Sequence, residues 1–287
     1  MGFGRGKVGS VVLARSKGQQ VARAYNDSPK NPRSESQMQQ RSMFASAVKF
    51  FTQGRQAFYQ FAFENKTPKQ SDYNAFVSAN AKRGMNISKA AFEEATYPVL
   101  APWMMSKGSL PELDLEYVTE SNNYKLALPG LVEGANMGAV SQALMSVYGL
   151  NAGDIITVVT INSQGSDSNN TPDVSPAKRQ LVKWEIKQAV IDIASTDAVT
   201  DLFGTGSTVV TGGITFKGII TNTTAGGASV TISRVTENGL KVNDSYLVLN
   251  SVAESIYNKS KEKGYIDEVL VSWKSTGKAI LEGTLVQ

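Results

Sequence analysis

Leu181-Val182-Lys183-Trp184-Glu185-Ile186-Lys187 sets Val182, Trp184 and Ile186 against Leu181, Lys183, Glu185 and Lys187. The period is two, the repeat of a strand with one face turned inward. Together with Ala189 to Ile193 it reads as one long strand, or as two with a bulge. Working outward, Ile155 to Ile161 is a β-rich run that follows the Gly153-Asp154 turn. Residues 163–176 are polar and Pro-containing, an exposed loop. Asp197 to Phe203 is a short helix candidate. Beyond it come β runs at 207–211, 214–221 and 228–235, with Gly212-Gly213 and Gly226-Gly227 read as the turns between them. Leu113-Asp114-Leu115-Glu116-Tyr117-Val118 alternates like a strand, with Tyr124 to Leu128 as its neighbour. Gly138 to Tyr148 is predicted to be a helix with Val140, Leu144 and Val147 on one face, ended by Gly149. Leu247 to Tyr257 begins strand-like and turns helical. Residues 265–287 hold a helix ending near Trp273 and a terminal strand. The region 112–287 is therefore expected to be α+β and mainly antiparallel.

The first 111 residues have a different texture. Val11-Val12-Leu13-Ala14-Arg15 and Gln20-Val21-Ala22-Arg23-Ala24-Tyr25 flank Ser16-Lys17-Gly18-Gln19, a β-hairpin pattern on which Arg15 and Arg23 are expected to share a face with Lys17 at the tip. Residues 4–9 match a dinucleotide fingerprint by letters, but no strand precedes them and no helix follows, so no nucleotide cradle is expected. Asn31-Pro32-Arg33 breaks the chain. Ser34-Glu35-Ser36-Gln37 fits a capping box, with the Ser34 side chain expected to accept a hydrogen bond near Gln37. In the helix that follows, Phe44, Val48, Phe51, Phe58 and Ala62 form the expected apolar row, with Gly54 a kink or break. Phe58, Tyr59, Phe61 and Phe63 are expected to pack on the body rather than stack on bases. Thr67-Pro68 is read as the start of a second helix, with Tyr73, Phe76, Val77 and Ala81 on its face and Gly84 at its end. Ser88 to Ala95 is a third, short one. Tyr97 to Pro111 is an ordered, Pro-rich connector. The expected divisions are a basic hairpin and helix start at 1–43, a helical region at 44–111 and an α+β domain at 112–287. No flexible linker separates them.

Charge is unevenly distributed. In residues 1–43, Arg5, Lys7, Arg15, Lys17, Arg23, Lys30, Arg33 and Arg41 face only Asp27 and Glu35, a net +6, whereas the whole chain is +4. A basic module on a nearly neutral body points to a polyanion, with nucleic acid the usual one. The chain has no Cys and no His. That removes disulfides, thiolate nucleophiles, imidazole metal ligands and the Ser-His-Asp triad. No run of about 18 apolar residues exists, so no membrane span is expected. A cytoplasmic origin follows. Asp167, Asn169, Asn170 and Asp173 lie on one polar loop, but their spacing is not that of an EF-hand. Adjacent Glu93-Glu94 on a helix do not face each other, and Glu116 and Glu120 have no identifiable partner group. There is no Walker A motif and no nucleophile elbow. No catalytic residues, metal or cofactor are expected.

Gly6-Lys7-Val8-Gly9, Val11-Val12, Gly18 and Val21-Ala22-Arg23 form a pattern with Asn31-Pro32-Arg33-Ser34, Gln39-Gln40-Arg41 and Phe44. Over these roughly 45 residues the chain resembles an uncharacterised family of bacterial and bacteriophage proteins known as a domain of unknown function. The runs Asp72 to Val77 and Tyr148 to Asp154 fit the same resemblance. It implies a phage or mobile-element context and transfers no catalytic residue.

The expectation is thus a non-catalytic virion structural or assembly protein in a bacterial host's cytoplasm or in the particle. Arg5, Lys7, Arg15, Lys17, Arg23, Lys30, Arg33 and Arg41 would contact nucleic acid, DNA before RNA, or a neighbouring subunit. Trp103, Met104 and Met105 would form an apolar interface to a second copy or another virion subunit, and the β region 207–235 would offer exposed edges. The alternatives are a single-stranded DNA-binding accessory protein and, third, an enzyme using carboxylates or Mg²⁺.

Overall fold

The computed structural model describes residues 5–16, 19–28, 33–54, 62–64, 70–93, 99–163, 182–218 and 225–274. An N-terminal sheet contains β1 (Gly6–Val8), β2 (Val11–Ser16) and β3 (Gln19–Ala24). Helices α1 (Glu35–Gln53), α2 (Asp72–Asn80) and α3 (Lys89–Glu93) follow, then β4 (Met104–Ser106), β5 (Leu115–Val118) and β6 (Asn123–Ala127). Next come α4 (Met137–Tyr148), β7 (Ile155–Ser163), β8 (Val182–Val190), α5 (Val199–Phe203), β9 (Thr208–Val210) and β10 (Gly213–Phe216). The last described elements are β11 (Ala225–Thr236), β12 (Gly239–Val242), β13 (Ser245–Tyr246), β14 (Val248–Leu249), α6 (Ser251–Lys259) and α7 (Lys263–Lys274). The fold is α+β, and the strands pair antiparallel.

The centre is the sheet β12-β11-β7-β8, with β14 added to β11. Alternation along β7 explains its position. Val159 and Ile161 point into one core with Phe50, Phe76 and Trp103, while Ile156 and Val158 point into another with Leu126, Leu144 and Phe216. Helices α1, α2 and α6 cover the first face. The second sheet, β5-β6-β10-β9, and α4 cover the other. Both faces are buried, yet β11 keeps a period of two: Ala228, Val230 and Ile232 enter the second core, while Ser229 and Thr231, also buried, lie on the other face. The helical region at 44–111 shares its core with β7, β11 and α6, and residue 43 falls inside α1.

Several expectations change. On α1 the buried stripe is Met38, Ser42, Ala45, Ser46, Lys49 and Phe50, while Phe44 is exposed. Small residues won that face because they allow close approach. The Ser42 hydroxyl accepts the Ile87 N–H at 2.9 Å, and a Cβ on Gly84 would lie 2.5 Å from the Met43 carbonyl. Gly84 is thus a contact glycine, and α2 ends before it at Asn80. Residues 65–69, which include the expected Thr67-Pro68 start, lie outside the described residues. Ser71 caps α2, accepting the Asn74 N–H at 3.2 Å. Ser34 is the N-cap of α1, but its side chain makes no capping bond, and the Gln37 Oε1 atom is buried without a partner. The capping box is not closed. α1 stops at Gly54, the expected break. Phe58, Tyr59 and Phe61 lie outside the described residues, whereas Phe63 is buried.

Gly226-Gly227 is not a turn. Both lie within β11, where a Cβ on Gly227 would meet the Leu247 side chain at 2.7 Å. β11 is an interior strand and β9, at the edge of the second sheet, is only three residues long, so among the described residues 207–235 does not offer the long edges expected of it. Val147 on α4 is exposed, unlike Val140 and Leu144. Arg234 fastens the start of β7: its Nε and Nη2 donate to the two carboxylate oxygens of Asp154 at 2.7 and 2.6 Å. Of the expected loop at 163–176, Ser163 is the last residue of β7 and the rest falls outside the described residues, as does the expected terminal strand.

Candidate polyanion interface

The site is built from β1–β3, which form a sheet with no buried residue among those described. Val8 is 67% exposed and Val11 37%. β1 and β2 join through Gly9-Ser10, with Gly9 at φ +59°, the first central position of a two-residue hairpin turn that needs glycine. β1 was not foreseen; its glycines drew attention to a nucleotide fingerprint instead of to a turn.

Register decides which side chains meet. Residues directly opposite in an antiparallel pair share a face. Lys7 lies opposite Val12, and Val12 opposite Arg23. One face therefore carries Lys7, Arg23, Val21 and Tyr25; Arg5 lies just before β1, across Gly6 at φ +125°. The Lys7 Nζ sits 3.6 Å over the Tyr25 ring and 4.0 Å from the Asp27 carboxylate. Arg15 pairs with Gln20 and so lies on the opposite face, with Leu13, Val11, Val8, Ala22 and Ala24. Arg15 and Arg23 do not share a face, contrary to expectation. The hairpin was legible from composition, but its parity depends on the loop length, and one residue reverses every side chain.

Of the other expected cations, the described Arg33 and Arg41 do not extend this cluster. Lys17 and Lys30 lie outside the described residues. Arg33 Nη1 donates to the Lys274 carbonyl at 2.8 Å, tying the entry of α1 to the end of α7. Arg41 is on α1, beside an apolar groove of about 890 Å³ lined by Phe44, Val48, Tyr73, Phe92 and Trp273. This groove was missed because the aromatic row was assigned to the core.

Trp103, Met104 and Met105 also move. Trp103 and Met105 have no exposed surface, and Met104 has little. Trp103 stacks on Phe50 with centroids 5.2 Å apart, and its indole N–H donates to the Val99 carbonyl at 3.1 Å. Asn80 clamps Met104 through its backbone, donating to the carbonyl at 2.9 Å and accepting the N–H at 2.7 Å. These residues are taken up by the chain's own core, which leaves no side chain to offer a partner.

Among the described residues no group of three or more acidic side chains is arranged to hold a metal ion, and no helix is long and apolar enough to cross a membrane. No curated protein and no solved structure matches the chain. Residues 3–120, from the arm through β5, match a family described as a family of unknown function, DUF6266.

Proposed function

We propose that the chain is a non-catalytic assembly subunit of bacteriophage type whose N-terminal arm contacts nucleic acid, in the host cytoplasm and in the particle. One observation carries this reading: a small sheet stands clear of both cores and displays Lys7 and Arg23 on one face beside Tyr25, with Arg5 exposed at its start. Three cations on one small exposed sheet suit a phosphate backbone, which is recognised by charge and spacing rather than by base edges. Only one ring stands on that face among the described residues. A dedicated single-strand binder uses successive stacking rings, so the assembly reading is preferred.

The test is DNA binding as a function of salt. Neutralising three phosphates gives a log–log slope of about −2 to −3. Replacing Arg5, Lys7 and Arg23 together by Gln is expected to abolish most of that slope. Arg15→Gln, on the opposite face, is expected to leave it nearly unchanged. Absence of binding at low salt, or an unchanged slope in the triple variant, overturns the reading.

A further inference from the structure

The arm also has a free edge. The Tyr25 N–H donates to the Ser10 carbonyl, so along β2 the backbone groups of residues 10, 12, 14 and 16 point to β3, and those of 11 and 13 point to β1. Val8 and Gly6, their partners, then point back to β2. The backbone groups of Lys7 are left facing outward.

A second free edge lies on the body. β5 has one strand neighbour, β6, among the described residues. The Ala127 N–H donates to the Asp114 carbonyl at 2.9 Å, so Asp114 and Glu116 direct their backbone toward β6. Leu115 and Tyr117 direct theirs to the open edge. Asp114 and Glu116 are exposed, and from Glu112 to Asn123 the chain contains four acidic residues and no basic one; on β6, Lys125 lies opposite Glu116, on the inner side of this acidic edge. Leu115 and Tyr117 lie opposite the buried Leu126 and Tyr124, on the core side.

We infer that β1 of one copy adds in parallel to the β5 edge of a second copy, setting Lys7 beside Glu116 and Arg5 beside Asp114. In a parallel pair, an outward-facing residue bonds to the two residues that flank its opposite number. Lys7, opposite Glu116, thus bonds through its backbone to Leu115 and Tyr117, the two residues whose groups are free. The side chains agree. Charged residues meet charged residues of opposite sign on the solvent side. Gly6 and Val8 fall beside Leu115 and Tyr117, so the uncovered apolar face of the arm continues over the neighbour's core. An antiparallel addition would instead align Lys7 with Leu115 or Tyr117 and turn its charge toward that core. Three strands without a covering layer are marginal, and strand addition supplies the cover. Arm and edge are different surfaces, so the contact is heterologous and propagates into a ring or filament. This rests on the assembly reading and names its subunit contact; in the assembled state Arg5 and Lys7 serve the neighbour's edge, and Arg23 is the cation of the three left to nucleic acid.

The experiment is sedimentation of the full chain freed of nucleic acid. Wild type is expected to self-associate. Arg5→Glu with Lys7→Glu, and separately Asp114→Lys with Glu116→Lys, should each weaken association by about tenfold or more, since like charges then face each other. Circular dichroism checks that both remain folded. Mixing the two variants should restore association, because every arm then finds an edge of opposite charge. Arg5→Glu alone should be rescued by a partner carrying Asp114→Lys and not by one carrying Glu116→Lys, which fixes the parallel direction. A wild-type monomer at high micromolar concentration, or association untouched by both reversals, overturns the inference. So does failure of the mixture. Association that passes these tests in a protein that binds no DNA would leave the contact standing and remove the nucleic-acid part of the proposed function.

Discussion

The arm β1–β3 and the central pair β7–β11 are both antiparallel and both rich in Val, yet they have opposite fates. β11 pairs with β7 from Ala225 opposite Ser163 to Ser233 opposite Ile155. Side chains from both of its faces enter a core, and Ile156, Val159, Ile161 and Ile232 have no exposed surface. The arm makes the same backbone ladder, but its valines stay in contact with water. Backbone pairing is therefore common to both. The difference lies in apolar area removed from water, at about 25 cal/mol per Å². One sheet is the frame of the molecule, and the other is a displayed surface.

That contrast is broken most severely in the helix-covered core. Trp103→Ala is expected to cost about 3–5 kcal/mol in urea unfolding, because it empties the space between Phe50 and Phe76. A loss below about 1 kcal/mol would show that Trp103 is not a core residue. Arg234→Met comes next. It leaves the Asp154 carboxylate, 2% exposed, without its bidentate partner, and about 3 kcal/mol should be lost at neutral pH. Asp154→Asn with Arg234→Met should recover part of it.

The caps sharpen the comparison on a smaller scale. Asn250 Oδ1 accepts both the Ala253 N–H that starts α6, at 2.9 Å, and the Gly226 N–H of β11, at 3.1 Å. Asn250→Ala should cost about 2 kcal/mol in chemical denaturation. Ser34→Ala, where the side chain makes no capping bond, should stay within about 0.5 kcal/mol. The smallest effect belongs to the arm itself. A chain lacking residues 1–28 should unfold with its midpoint unchanged to within about 2 °C by calorimetry, since none of the described residues among them belongs to either core. A large drop would mean that the arm is part of the frame.

Much of the frame was legible. The period-two pattern marked β8. Gly149 at φ +65° ends α4 by donating to the Met145 carbonyl, as its position in the sequence suggested. The N-cap of α6 at Asn250 follows a strand-like start at β14, matching the expected change within Leu247 to Tyr257. The site was legible only in outline. Composition located the basic segment, but it took the register of β1–β3 to separate Arg15 from Arg23 and to bring Tyr25 beside Lys7.

By itself the sequence determined the α+β class, the punctuation of most elements and the charge at the N-terminus, because these depend on local periodicity, on backbone restrictions at Gly and Pro, and on composition. Tertiary structure decided which apolar residues are covered. Phe44 and Val8 look as hydrophobic as Phe50 and Ile156, but burial depends on the surface that arrives from elsewhere in the chain. Small residues on α1 drew in Ile87 and Gly84, and this turned Phe44 outward. Trp103, which looked like a displayed anchor, became the centre of a core because Phe50 and Phe76 converge on it from two helices, while Asn80 holds the backbone of the next residue, Met104.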